Sequence, residues 1–142
     1  MGSIDRTDWH YGGDFPEGVP NENGATHIGM FLAWIINNDM IGEMHLEEAA
    51  DDLMKVKNSE MTGRTFFINN CDEKFWDDDL NEEGVKFTNS YYTEKYLQDY
   101  SATFENDCKT IYHVEDTWEN YDRISKVIDT NYKFYKNNGL RI

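Results

Sequence analysis

The stretch Ala25-Thr26-His27-Ile28-Gly29-Met30-Phe31-Leu32-Ala33-Trp34-Ile35-Ile36-Asn37-Asn38 decides the fold. Ile28, Phe31, Leu32 and Ile35 recur at i, i+3, i+4, i+7, the period of one helix face. Met30, Trp34 and Ile36 put apolar side chains on the other faces. The spacing therefore predicts a central helix buried on most sides. Asn37-Asn38-Asp39 ends it.

Such a helix needs others around it, and they can be read outward along the chain. From Leu46 to Lys57, Leu46, Ala49, Ala50, Leu53 and Met54 form one stripe opposite Glu47, Glu48, Asp51 and Asp52. Acidic residues in its first turn and Lys55 and Lys57 in its last suit the helix dipole. Thr62 is a cap for a short helix through Asn70, although Thr65-Phe66-Phe67-Ile68 would also serve as a strand. A helix is expected over roughly Asn81 to Tyr92, with Leu80, Gly84, Phe87 and Tyr91 on one face. It continues from Glu94 to Phe104 with Tyr96, Leu97 and Tyr100 as its stripe, and Thr93 marks a kink or a fresh cap. Lys109–Val114 reads as a short strand. Asp116 or Thr117 then caps a long last helix. On it Trp118, Tyr121, Ile124, Ile128, Tyr132 and Tyr135 recur every three or four residues as far as Asn137-Asn138-Gly139.

Toward the N-terminus, residues 1–24 read as an irregular arm. Trp9 to Pro16 places rings around Gly12-Gly13, Pro16 and Pro20 resist helix, and Asn21-Glu22-Asn23-Gly24 is a turn cluster. The expected fold is mostly α: one domain over residues 1–142, a bundle of five or six helices with the arm packed on it and room for one short β element.

Composition narrows the function. The chain carries 28 Asp+Glu against 13 Lys+Arg, a net charge of −15 over 142 residues. That charge repels nucleic acid and anionic lipid, so neither is expected as a partner, and it attracts cationic protein surfaces. No stretch approaches the ~20 apolar residues of a membrane span. No apolar leader follows Met1, so the expected location is the cytoplasm. Cys71 and Cys108 stand 37 positions apart outside any zinc spacing and read as two reduced thiols.

The candidate chemistry is sparse. His10, His27, His45 and His113 fall in no metal-ligand spacing, and no metal or other cofactor is expected. A lone histidine on an apolar helix is more often a packed, hydrogen-bonded ring than a ligand, which is the plain reading of His27. If the arm folds onto the first helix, His10 and Asp14 would converge with His27 as an acid/base or metal-binding cluster beside Trp34. Asp77-Asp78-Asp79 lacks the alternating oxygens and glycine of a calcium loop and reads as solvated surface. Phe75 and Trp76 beside it would supply the apolar anchor of a docking patch.

Three blocks carry a resemblance: Trp9-His10-Tyr11-Gly12-Gly13-Asp14-Phe15-Pro16, Ala25 through Trp34, and Val114-Glu115-Asp116-Thr117-Trp118-Glu119-Asn120-Tyr121-Asp122. They resemble a family of small bacterial proteins similar to immunity proteins of polymorphic or contact-dependent toxin systems. The resemblance implies a non-enzymatic protein that binds and neutralises a cognate, cationic toxin domain. It supplies no catalytic residues. The expected contact surface is the acidic-aromatic stretch Asp72, Glu73, Phe75, Trp76, Asp77, Asp78, Asp79, Glu82 and Glu83. Two alternatives remain: a small enzyme built on His10, Asp14 and His27, and an acidic interaction module unrelated to toxins.

Overall fold

A computed structural model describes residues 3–13 and 15–138. The fold is mostly α. Helix α2, Thr26–Asn37, is the axis: every residue from Thr26 to Ile36 is buried, as its all-round apolar pattern requires. Around it stand α4 (Ala50–Lys57), α5 (Gly63–Asn70), α6 (Glu82–Tyr91), α7 (Leu97–Phe104) and the long α8 (Trp118–Asn138). The short α1 (Thr7–Tyr11) and α3 (Glu43–Glu48) lie on the periphery.

Side-chain caps set several boundaries. Thr62 Oγ1 accepts from the Thr65 N–H (3.3 Å) and starts α5. That decides between helix and strand for Thr65–Ile68. Asn81 Oδ1 accepts from the Gly84 N–H (2.8 Å) and starts α6. Thr117 Oγ1 accepts from the Asn120 N–H (3.1 Å) at the start of α8.

Aromatic rings fill the centre. Phe31 on α2 touches Trp34, Phe75, Phe87, Tyr91, Tyr92 and Tyr96. Each fully buried ring contributes roughly 1.5–3 kcal/mol of transfer free energy, so this one cluster outweighs any surface ion pair. The polar ends of the rings are met. Trp34 Nε1–H donates to Asp129 on α8 (2.7 Å), and the Tyr96 hydroxyl donates to the His27 carbonyl (2.7 Å).

The structure departs from the sequence-based expectations in four places. The helix expected over Leu46–Lys57 is two, because Ala49 leaves helical geometry (φ −128°, ψ 29°). Both α3 and α4 are short pieces, and eight α-helices appear among the described residues where five or six were expected. The kink at Thr93 is a π-helical turn, Tyr92–Tyr96, inside the α6–α7 run. There Thr93 Oγ1–H donates back to the Asn89 carbonyl (3.0 Å), the kind of competing bond that bends a helix. Lys109–Val114 forms no strand. Thr110 Oγ1 accepts from the Tyr112 N–H and turns the chain into a 3-10 segment, Ile111–His113.

The fourth departure concerns the arm. Ser3–Arg6 is a strand, β1, which pairs antiparallel with β2, Lys74–Trp76. Asp5 lies opposite Phe75, with an irregularity in the ladder between Ser3 and Asp5. The ladder carries the start of the chain onto the core and delivers α1 beside α2. Among the described residues no helix is long and apolar enough to cross a membrane.

Helices α2 and α5 cross with almost no space between their backbones. A Cβ on Gly63 would fall on the Gly29 carbonyl oxygen, and one on Gly29 would fall on the Arg64 backbone. Neither contact can be relieved by turning a side chain. Gly63→Ala is expected to cost at least about 3 kcal/mol in urea unfolding or to prevent folding. Gly13→Ala, whose Cβ would meet nothing nearer than 3.7 Å, should change stability by less than about 1 kcal/mol. Equal effects from the two substitutions would contradict this packing.

Candidate functional site

The β1–β2 ladder places Asp5 inward, 5% exposed, and builds a polar cluster around it. Four donors meet its carboxylate. Oδ1 accepts from the Arg6 N–H (2.8 Å) and from His10 Nε2 (2.8 Å). Oδ2 accepts from His27 Nε2 (3.1 Å) and from the Tyr92 hydroxyl (2.6 Å). The donors come from β1, α1, α2 and the π-turn, so one side chain ties four elements together. His10 and His27 meet edge to face, with ring centroids 4.5 Å apart. His10 Nδ1 lies 2.8 Å from the Tyr112 hydroxyl, which adds the 3-10 segment before α8.

The electrostatics follow from that arrangement. Burial pushes the Asp5 carboxyl up, but the hydrogen bonds and fields of His10 and His27 outweigh it and hold the group well below the usual carboxylate range. Burial pushes His27 down more strongly than Asp5 pulls it up, so the ring is neutral in the fold. Its Nε2 faces Asp5 and carries the proton. Its Nδ1 is buried with no hydrogen-bond partner among the described residues. Burial also raises Tyr92 well above the usual phenol range, which keeps its hydroxyl a donor to Asp5.

This geometry holds protons in place. A general base needs a pKa near working pH and a path to substrate; Asp5 has neither feature, and His27 is 1% exposed. The oxygen and nitrogens of Asp5, His10 and His27 stand close enough to ligate a cation. The obstacle is His27. Coordination through Nε2 would leave a buried N–H on Nδ1 without an acceptor, whereas ligating histidines almost always donate that second proton. The expected convergence of His10 and His27 is present, and Asp5 is the carboxylate it was missing. Asp14 lies outside the described residues. Asp5 carries no sequence signal of its own, because Ile4-Asp5-Arg6 reads as surface until its strand partner, some seventy residues away, is known.

The acidic-aromatic stretch needs correcting as a contact surface. Phe75 is fully buried against Phe31 and Tyr92 and cannot anchor a partner. Asp79 is also buried: its Oδ2 accepts from the Trp76 N–H (2.8 Å) and its Oδ1 from His45 Nε2 (2.7 Å). Asp72, Asp78 and Glu82 are exposed, and Glu73, Trp76, Asp77 and Glu83 are half-buried.

Exposed apolar side chains sit beside this stretch, on α3. Of the six residues of α3 only His45 is buried. Leu46 is 55% exposed, and Met54 on α4 is 58% exposed. Both line a groove of about 580 Å³ between α3, α4 and the end of α2, floored by Ile36, Ile41 and Leu53. Asp39, Glu43 and Lys57 edge it, with Lys57 bound to Asp39 (2.6 Å). On the other side of α3, Met44, Trp76 and Asp78 line a second hollow of about 340 Å³. Exposed carboxylates also run along α8, at Glu119, Asp122 and Asp129, so charge by itself selects no face. Exposed rings also flank an acid on α1, where Trp9 and Tyr11 stand beside Asp8; α3 is set apart by pairing its carboxylates and bare apolar side chains with the 580 Å³ groove.

The Asp5 cluster predicts a pH profile. The folded pKa of His27 lies below its unfolded value of about 6.5, so its stabilising effect is complete above about pH 6.5 and fades as pH falls below it. The folded pKa of Asp5 is also depressed, so its effect is present above about pH 4 and fades on further acidification. Urea unfolding from pH 7 to pH 3 should therefore lose stability in two stages. The first stage should be absent in His27→Gln and the second in Asp5→Asn. Asp5→Asn should also cost about 3 kcal/mol at pH 7, the scale expected for removing one partner of a buried pair. A profile flat from pH 7 to pH 4 would contradict the assignment.

Residues 3–114 match the family model described as Domain of unknown function (DUF7832). No curated protein and no solved structure matches the chain. The matched span holds Asp5, His10, His27, Tyr92 and Tyr112, and it includes all of α3 and the acidic stretch, while α8 follows it. With most of its length and every element of both surfaces inside that match, the protein belongs to the DUF7832 family.

Proposed function

We propose that the protein is a non-enzymatic binding protein that covers a cationic partner, in the manner of the immunity proteins its sequence blocks resemble. The docking face is α3 with the groove beside it. Its occupant is a basic, amphipathic segment of a partner protein, whose apolar side seats on Leu46, Met54, Ile41 and Leu53. One observation carries this: Leu46 and Met54 stand more than half exposed along a deep apolar groove, in a protein of net charge −15. Apolar anchors in a pocket supply most of the free energy of an interface. Asp39 and Glu43 at the rim, with the exposed Glu47, Glu48 and Asp51 on α3 and α4, add attraction and speed encounter. A cognate toxin domain with a cationic surface fits that description.

Catalysis by His10 and His27 has less support, because both rings are spent on Asp5. Occlusion of a partner needs no chemistry from this chain.

A designed amphipathic Lys/Leu helix and a Lys/Ser peptide of equal charge make the test, read by calorimetry. The Lys/Leu peptide should bind at least tenfold more tightly, and the double variant Leu46→Asp/Met54→Asp should abolish that advantage. Raising salt should weaken both peptides, since rim charges are screened beyond about 8 Å at physiological ionic strength. Equal affinity for the two peptides, or an advantage that survives the double variant, would overturn the groove as the docking face.

A further inference from the structure

A second cluster lies under the hollow on the far side of α3. His45 on α3, Cys71 at the end of α5 and Asp79 in the 3-10 turn after β2 are all buried. His45 Nε2 is 2.7 Å from Asp79 Oδ1 and 3.7 Å from Cys71 Sγ. Sequence separations of 26 and 8 residues hide the group from any motif search.

The arrangement has the residue types of a nucleophilic triad and the wrong geometry for one. A triad puts the thiol on one ring nitrogen and the carboxylate on the other, so that the ring relays between them. Here both face the same nitrogen. Three donor atoms thus converge on one point, all within 4.8 Å of one another. Thiolate, imidazole and carboxylate are the donors zinc takes.

We propose that His45, Cys71 and Asp79 form a zinc site with one open position. The fit is close. Tetrahedral zinc with ordinary bond lengths separates sulfur and nitrogen ligands by about 3.6 Å and nitrogen and oxygen ligands by about 3.3 Å. The first separation matches the 3.7 Å found, and the second requires the His45–Asp79 pair to open by roughly half an ångström. Zinc takes the place of the proton between them, which shifts from Nε2 to Nδ1 of the imidazole, and the thiol proton leaves to solvent.

The surroundings hold the ligands in place. Asp79 is fixed by the Trp76 N–H on its other oxygen, and its carbonyl accepts from the Gly42 N–H (2.8 Å) just before α3. Supporting hydrogen bonds of this kind orient ligands around a metal. Cys71 is presented by a turn in which two consecutive non-glycine residues, Asp72 (φ 54°) and Glu73 (φ 57°), adopt left-handed geometry. Each costs roughly 1–2 kcal/mol and needs a compensating gain. The fourth position faces the 340 Å³ hollow, which Cys71, Asp72, Met44, Trp76 and Asp78 line. A water or a donor from a bound partner reaches zinc there. Among the described residues His27 Nδ1, in the Asp5 cluster, is a buried ring nitrogen without a partner, and His45 Nδ1 is not such an atom. The inference stands independently of the docking face.

Cobalt makes the test on metal-stripped wild-type protein. One equivalent should give tetrahedral bands in the visible and a sulfur-to-cobalt charge-transfer band in the near ultraviolet, both displaced by zinc. Cys71→Ser should lose the ultraviolet band, and His45→Gln, which keeps the thiol, should weaken cobalt more than tenfold. Cys108→Ser should change neither. Absence of the charge-transfer band in the wild type, or its loss in Cys108→Ser with retention in Cys71→Ser, would overturn the site. The wild-type titration decides the matter even where a variant does not fold.

Discussion

A carboxylate buried in a protein must be met by donors, and at Asp5 that requirement organises the molecule. The β1–β2 ladder cannot place Asp5 inside unless α1 brings His10, α2 brings His27 and the π-turn brings Tyr92. Leaving any of them out would strand an ion in the core at a cost of several kcal/mol. The demand is collective, and it ties the arm, the central helix and the α6–α7 bend into one arrangement.

That arrangement bears on function. In a chain of net charge −15, repulsion between carboxylates works against the compact state. An aromatic core and a few fully satisfied buried acids hold it closed. The surface is then left to carry most of the charge. The six-residue α3 illustrates the division. Only His45 points inward, where it binds Asp79, and Met44 and Leu46 are left bare among acids. A segment with one anchor and an exposed apolar side has little reason to exist for folding alone.

Much of the fold was legible. Helix α2 could be read from its spacing because burial on all sides leaves no polar stripe, and α8 from its rings at three- and four-residue intervals. Thr62 and Thr117 announced helix starts by capping chemistry, while Asn81, read only as the approximate start of a helix, caps α6. The strands were illegible, because β1 and β2 are short and their pairing is a backbone interaction between distant segments. Without that ladder Asp5 looked exposed. Phe75 looked like a surface anchor for the same reason: in Lys74-Phe75-Trp76 the alternation that buries the middle residue is only three residues long. His10 and His27 could be paired from the arm's rings, but not the acid between them. His45 and Cys71 offered no spacing at all, since their meeting depends on the turn at Asp72–Glu73.

The protonation state of His27 separates a closed clamp from a working acid/base group. Nitrogen and carbon chemical shifts of its imidazole, followed from pH 8 downward, read that state directly. The account predicts a neutral ring with the proton on Nε2 at pH 7, persisting below the ordinary histidine midpoint of about 6.5 while the fold remains intact. An imidazolium at pH 7, or a proton on Nδ1, would contradict it.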